Sequence, residues 1–195
     1  MINAKFDNVK TVLKFHKQIV EQQEEAHGKH YCQMHQAIKR FWSEGECKKY
    51  MELGTHQGGS ASNAMMLDPT PKKITLIDID MSKYNSVLKP IAEKHCHSNK
   101  IELDVRETSS IGFAAVEGTD MLVIDSVHKA GWMQQELDLH GKNVRKYIVA
   151  HDTKRLFDQV DEQLHHTLVE WGKRNGFILV DRGEASVGYT VIARK

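Results

Sequence analysis

Cysteine is scarce: Cys32, Cys47 and Cys96 are the only three in 195 residues, they lie far apart, and no Cys-x-x-Cys occurs. That argues against a disulfide framework or a zinc ribbon and for a reducing compartment. Net charge is nearly absent as well, at +1, so no strong field points towards nucleic acid or an anionic membrane surface. No apolar run is long enough to span a bilayer, and the opening MINAKFDNVK has no apolar signal core. The expectation is a cytoplasmic protein with no membrane and no nucleic acid as partner. Proline is rare too. Asp68-Pro69-Thr70-Pro71 marks a firm break, and Pro90 is expected to kink or split the helix in which it falls.

What is present suits one ordinary globular domain: 40% hydrophobic and 27% charged residues in a chain long enough for a full core. The reading is a single domain over 1–195, with a helical cap at 1–45 and a core at 46–195. Val9, Val12, Leu13, His16, Ile19 and Val20 form one helical stripe, and Tyr31, Met34, Ile38 and Phe41 a second, ending near Trp42. Short apolar runs then alternate with helical periods. The strands are expected at 50–53, 74–77, 101–105, 121–124 and 147–150, and a closing pair at 177–180 and 189–193 has too short a link for a crossover helix. Helices are expected at 60–67, 82–95 and 129–140, and a last one is marked by Phe157, Val160, Leu164, Leu168 and Trp171. Continuous apolar strands between helices imply an α/β fold: a seven-stranded, mostly parallel sheet covered on both faces, with the last strand antiparallel.

The most informative stretch is Met51-Glu52-Leu53-Gly54-Thr55-His56-Gln57-Gly58-Gly59-Ser60. An apolar strand ends at an acid, and glycines then lead into a helix. Glycine allows positive φ and removes a Cβ from the path of a ligand. The free N–H groups of a helix start favour an anionic group. The spacing Glu-x-Gly-x-x-x-Gly-Gly is not the Gly-x-Gly-x-x-Gly of nicotinamide and flavin enzymes. It resembles the first motif of Rossmann-like S-adenosylmethionine (SAM)-dependent methyltransferases, and the strand order read above is similar to theirs.

The resemblance implies SAM as cofactor, with Glu52, Gly54, Thr55, Gly58, Gly59 and Ser60 around it. Ser60 would bond the methionine carboxylate or only cap a helix. Asp78, at the end of the next strand, has the spacing of an acid that grips ribose hydroxyls, with Asp80 as the alternative. Glu107, after the third strand, falls where related enzymes place an acid facing the adenine amine, and Asp104 competes with it.

Two further motifs carry the chemistry. Asp125-Ser126-Val127-His128 ends the fourth strand and His151-Asp152-Thr153 the fifth, so a parallel sheet brings them into one cleft. Two carboxylates with imidazoles suit a divalent cation. Oxygen ligands favour Mg2+, and added imidazole moves the preference towards Mn2+. The ordinary pKa of His128 suits it to remove a proton. The pattern resembles the cephalosporin-hydroxylase-like proteins and the macrolide-sugar O-methyltransferases, of which the sugar enzymes carry Asp-x-x-His after strand four and Glu-Asp after strand five. That resemblance implies metal ligands Asp125, His151 and Asp152, with His151 standing where Glu is usual. It implies Asp125 and His128 as catalytic residues, with Asp125 also facing the cofactor.

A small-molecule hydroxyl, sugar- or polyol-like, is the acceptor expected. No Asp/Asn-Pro-Pro-aromatic motif and no Pro-Cys pair is present, which argues against methylation of DNA bases. The alternative is a non-catalytic SAM- or nucleotide-binding module, favoured by the departures at Ser126 and His151. The N-terminal helices, with Trp42, are expected either to cover the cleft and choose the acceptor or to form a contact in a homo-oligomer. Of the twelve histidines, His16 is read as a core residue, and His95, His97, His165 and His166 as side chains of solvated helix surfaces.

Overall fold

The computed structural model describes residues 6, 9–114, 117–154 and 163–195. Two N-terminal helices, α1 (Val12–His27) and α2 (Gln33–Glu44), precede an alternating series: β1 (Lys49–Leu53), α3 (Gly59–Ala64), β2 (Lys73–Asp78), α4 (Ser82–Ser98), β3 (Glu102–Glu107), β4 (Thr119–Ile124), α5 (Ala130–His140), β5 (Val144–His151), α6 (Gln163–Arg174), β6 (Phe177–Gly183) and β7 (Tyr189–Arg194). The seven strands form one sheet in the order β3-β2-β1-β4-β5-β7-β6. All neighbours are parallel except β7, which runs against both β5 and β6. The expected sheet, with its antiparallel closing strand, is the one observed.

Alternation along the strands splits the core in two. Tyr50, Ile74, Met121 and Val123 face one layer with α1 to α4, and Met51, Ile77, Leu122 and Ile124 face the other with α5 and α6. Successive side chains of a strand point to opposite faces, so strands covered on both sides must be apolar throughout. The order of β1, between β2 and β4, makes a switch point. The chain leaves β1 towards β2 and β3 on one side and returns to β4 and β5 on the other, which opens a crevice at the strands' carboxyl ends.

Several local expectations need correction. In α1 the buried face is Val12, Phe15 and Ile19, whereas Leu13 is 53% exposed. Thr11 caps this helix by accepting from the Lys14 N–H at 3.2 Å, and that sets its phase. Helix α4 runs unbroken through Pro90. Pro90 and Ser86 both lie on the exposed side, so water can serve the carbonyl that a proline in this position leaves unbonded. Trp42 is wholly buried and its indole N–H donates to the Pro69 carbonyl at 2.6 Å, so it neither covers the cleft nor offers a surface contact. His16, expected in the core, is half-buried and reaches Ser62 in α3, with Nδ1 3.0 Å from its Oγ. His95 bonds the Met65 carbonyl and His165 the Thr190 hydroxyl, so both are tied to the fold. Phe157 and Val160 lie outside the described residues.

Candidate functional site

A cavity of about 370 Å³ occupies the crevice at the switch point. The glycine turn forms its floor. Gly54 has φ +90, and a Cβ there would lie 2.1 Å from the Asp125 carbonyl oxygen. Gly58 has φ +90 as well, and a Cβ would lie 2.3 Å from Leu88 Cδ2. Both glycines are thus required by the chain's own packing, where the sequence suggested room for a ligand. Gly59 meets neither constraint: the nearest atom to a Cβ would be Ile19 Cδ1 at 3.6 Å. His56, in the same turn, also has positive φ, +47, an uncommon state for a residue with a side chain.

Side chains around the turn hold one another. Glu52 is fully buried. Tyr50 Oη donates to its Oε2 at 2.6 Å, and Oε1 has no partner. Burial pushes this carboxyl up to about 8, against the pull of Tyr50 and Ser60. Ser60 lies inside α3, whose N-cap is Gly58, so it does not cap that helix. Asp78 lines the cavity and Asp80 does not. The Asp78 carboxylate accepts the His56 N–H at 2.7 Å and the Asp80 N–H at 3.0 Å, one on each oxygen. Asp80 instead accepts the Ser82 N–H at 2.8 Å, at the start of α4. Glu107 is exposed and lies off the cavity. Asp104 is taken up by Arg106 at 2.7 Å.

The wall on that side comes from residues the sequence did not single out. Ile79, Ser109, Ser110 and Trp132 line it. The Trp132 indole donates to Ser110 Oγ at 3.0 Å. Ser126 Oγ donates to the buried Glu136 at 2.5 Å. A signal for Ile79 was there to read: it is an apolar residue between two acids at a strand end, and it is 74% exposed.

Beside the glycine turn, the ends of β4 and β5 bring Asp125, His128, His151 and Asp152 together. His128 Nε2 is 2.8 Å from Asp152 Oδ2 and 3.4 Å from Asp125 Oδ1. His151 Nδ1 is 3.1 Å from Asp125 Oδ1 and 3.7 Å from Asp152 Oδ1. Asp152 has φ +52, and its buried Oδ1 has no hydrogen-bond partner. A left-handed aspartate with an orphaned oxygen is strain held in place by the packing around it. Candidate ligand atoms from Asp125, His128 and Asp152 lie within 4.8 Å of one another. Among the described residues, the group that converges for a cation therefore includes His128, whereas the sequence pointed to His151.

The quartet sets its own protonation. Burial alone would lower His128, but its bonds to Asp125 and Asp152 raise it to about 10. Burial also opposes His151, which Asp125 and Asp152 raise to about 9. Burial works in the other direction on Asp125, where the His151 charge and the bonds from both imidazoles outweigh it and hold the carboxyl well below the usual carboxylate range. His128 thus departs from the ordinary imidazole value on which its sequence reading rested. It is charged at neutral pH while both carboxylates are free to hold its proton.

The N-terminal helices and the turn between them cover the cavity through Ile19, Tyr31, Met34 and His35. The Tyr31 ring meets His151 edge-on, with centroids 5.6 Å apart. His35, whose Nδ1 is sealed without a partner, lies 5.2 Å from the His16 ring. Burial pushes His35 down to about 3 and His16 to about 4, so both are neutral.

No family model and no curated protein sequence matches the chain. Solved structures do. A putative caffeoyl-CoA O-methyltransferase from Staphylococcus aureus aligns with TM-score 0.65 at 11% identity, over 93% of this chain and 99% of that one. A SAM-dependent methyltransferase from Clostridium acetobutylicum gives 0.61 at 8% identity, over 92% and 99%. The N-methyltransferase NodS from Bradyrhizobium japonicum, solved with S-adenosyl-L-homocysteine (SAH), gives 0.56 at 18% identity, over 83% and 86%. The fold is that of Rossmann-like methyltransferases.

Proposed function

We propose that the chain is a SAM-dependent methyltransferase that acts on a hydroxyl of a small molecule, sugar- or polyol-like. The observation that carries this reading is one continuous cavity lined by the glycine turn, Asp78 and the carboxylate–imidazole quartet. The likeness to solved methyltransferases, one of them solved with SAH, supports the cofactor.

SAM, when bound, supplies a methyl group on a sulfonium, which needs only in-line approach of a nucleophilic oxygen. Asp78 keeps lone pairs on both oxygens for ribose hydroxyls. The buried, unpartnered Thr55 Oγ1 and Gln57 Oε1 beside the turn fit a polar ligand there. Ile79, Ser110 and Trp132 offer a partly apolar wall suited to a base. Glu52 shapes the turn from beneath through Tyr50 and Ser60.

A divalent cation, Mg2+ or Mn2+, fits the orphaned Asp152 oxygen and the converging Asp125 and His128, and would lower the pKa of an acceptor hydroxyl. His151 stands behind, and its bond to Asp125 orients that carboxylate. His128 serves as base once the acceptor or the cation draws Asp125 and Asp152 away from its proton. One imidazole cannot be ligand and base through the same nitrogen, so in a cation-bound site His128 takes one of these two roles. The N-terminal helices roof the acceptor.

Calorimetry with SAM, SAH and NAD tests the cofactor: SAM and SAH are expected to bind and NAD not, and failure of both SAM-type ligands sinks the reading. The same titration with Mg2+ or Mn2+ present, in wild type and Asp125→Ala, tests the cation. An unchanged metal response in the variant removes that part. A second reading, a binding module without turnover, draws on His128 being fully engaged by two carboxylates at neutral pH. SAM consumption with an acceptor panel separates the two.

A further inference from the structure

The buried face of α5 is not that of an ordinary amphipathic helix. Met133 and Leu137 share it with Glu136 and His140, which are 0% and 2% exposed. A carboxyl or an imidazole in such a place costs free energy unless it is bonded. Trp132, Glu136 and His140 follow one another at intervals of four residues, so they form one stripe along the helix. Each bonds a loop that lines the cavity. The Trp132 indole donates to Ser110 Oγ at 3.0 Å, and His140 Nε2 lies 2.7 Å from the Ser110 carbonyl oxygen. A carbonyl only accepts, so His140 donates there, and its Nδ1 is left without a partner. Ser126 Oγ donates to Glu136 Oε1 at 2.5 Å, and Oε2 is left without one. None of these side-chain bonds ties α5 to another helix. They go to the loop after β3 and the loop after β4.

Ser126 is where the stripe reaches the glycine turn. A Cβ on Gly54 would lie 2.1 Å from the Asp125 carbonyl oxygen and 2.7 Å from the Ser126 nitrogen. The peptide that joins Asp125 to Ser126 therefore packs directly against Gly54. The Asp125 N–H fixes one end of that unit by donating to the Leu53 carbonyl at 2.8 Å. The Ser126 side chain fixes the other through Glu136. Glu136 itself does not line the cavity, whereas Ser126 does. A binding site is only as well placed as the groups that lock its own residues from behind.

Building on the methyltransferase reading, we propose that Glu136 is a positioning residue for the cofactor: by holding Ser126 it fixes the Asp125–Ser126 peptide against Gly54 and so sets the shape of the glycine turn. A helix in one layer of the core thereby supports a turn whose own helix, α3, lies in the other.

The test measures SAH affinity of the full chain by calorimetry, with melting temperatures on the same samples. Glu136→Leu removes the acceptor and puts an apolar group of similar size on a buried face, a change that such positions commonly tolerate. Ser126→Ala removes the donor. In each variant SAH is expected to bind about tenfold more weakly than in wild type. The double variant is expected to lose no more than about twofold beyond either single one, because both break the same link. Glu136→Gln keeps an oxygen for Ser126 and is expected to stay within about threefold of wild type. Losses that multiply in the double variant overturn the proposal, since Ser126 would then act on SAH by itself. So does a Glu136→Gln as weak as Glu136→Leu, or a lowered melting temperature with SAH affinity unchanged. If Glu136→Leu does not fold, Ser126→Ala and Glu136→Gln decide, and an unchanged affinity in Ser126→Ala overturns the proposal. If wild type binds SAH and no variant differs from it, this inference falls and the cofactor reading stands. If wild type does not bind SAH, the methyltransferase reading falls first and carries this one with it.

Discussion

At the glycine turn the backbone does the shaping: Gly54 presses against the Asp125 carbonyl, Gly58 against Leu88, and Asp78 is tied by two backbone N–H groups. At the quartet beside it side chains do it: two carboxylates, two imidazoles and a phenol converge from the end of β4, the end of β5 and the turn after α1. The first region is set by local conformation, and a single added methyl group disturbs it. The second is set by charge balance between separated segments, and it responds to pH and to bound ligands. A cofactor common to many enzymes suits the rigid end. An acceptor that differs between enzymes suits the adjustable one.

The sharpest way to break this contrast is Gly54→Ala. The added Cβ meets backbone rather than a yielding side chain, and φ is unfavourable, so a loss of roughly 4 kcal/mol or more is expected by chemical denaturation. A loss under about 1 kcal/mol would show that the turn is not held as described. His128→Ala is expected to lower turnover of a methylated acceptor about 10²- to 10⁴-fold while SAH affinity stays within about threefold. Activity that survives removes the base assignment, and loss of SAH binding would merge the two regions.

The pH response separates the regions by sign. His128 and His151 hold protons more tightly folded than unfolded, with values of about 10 and about 9. Their contribution to stability is complete below the ordinary imidazole value of about 6.5 and is lost as pH rises through 9 to 10. Asp125, held below the usual range, contributes above that range and loses its contribution as acid protonates it. Thermal melts of the cation-free protein should therefore fall on the alkaline side between pH about 6.5 and 10. Asp125→Asn should flatten that limb. A cation bound by His128 competes with its proton, so Mn2+ affinity should rise with pH, by up to about tenfold per unit. An affinity independent of pH would exclude His128 as a ligand. The smallest effect is expected from Glu107→Gln, which should leave SAH affinity within about twofold because Glu107 lies off the cavity. A larger loss would place an acid of β3 at the cofactor after all.

The same contrast explains what the sequence revealed. Strand periods, the glycine spacing and the acids at strand ends are local, and they led to the mostly parallel seven-stranded sheet, the crevice and the meeting of Asp125, His128, His151 and Asp152. Trp42 misled because a large aromatic near a strand reads alike whether it faces a cleft or the core. Glu107 lies off the cavity because the register at the end of β3 decides which residue turns inward, and Ser109 and Ser110 line it there. Tyr31 and His35 were legible only as residues on or beside a helix. Their place over the quartet depends on how α1 and α2 dock on α3, through contacts such as His16 with Ser62 that join residues 46 apart in the chain.

The most direct test of the central claim is SAH binding by calorimetry in wild type and Asp78→Ala. The account predicts binding to wild type at one site per chain and a loss of at least about tenfold in the variant, without loss of fold by circular dichroism. Wild type that does not bind SAH, or a variant that binds it equally well, would contradict it.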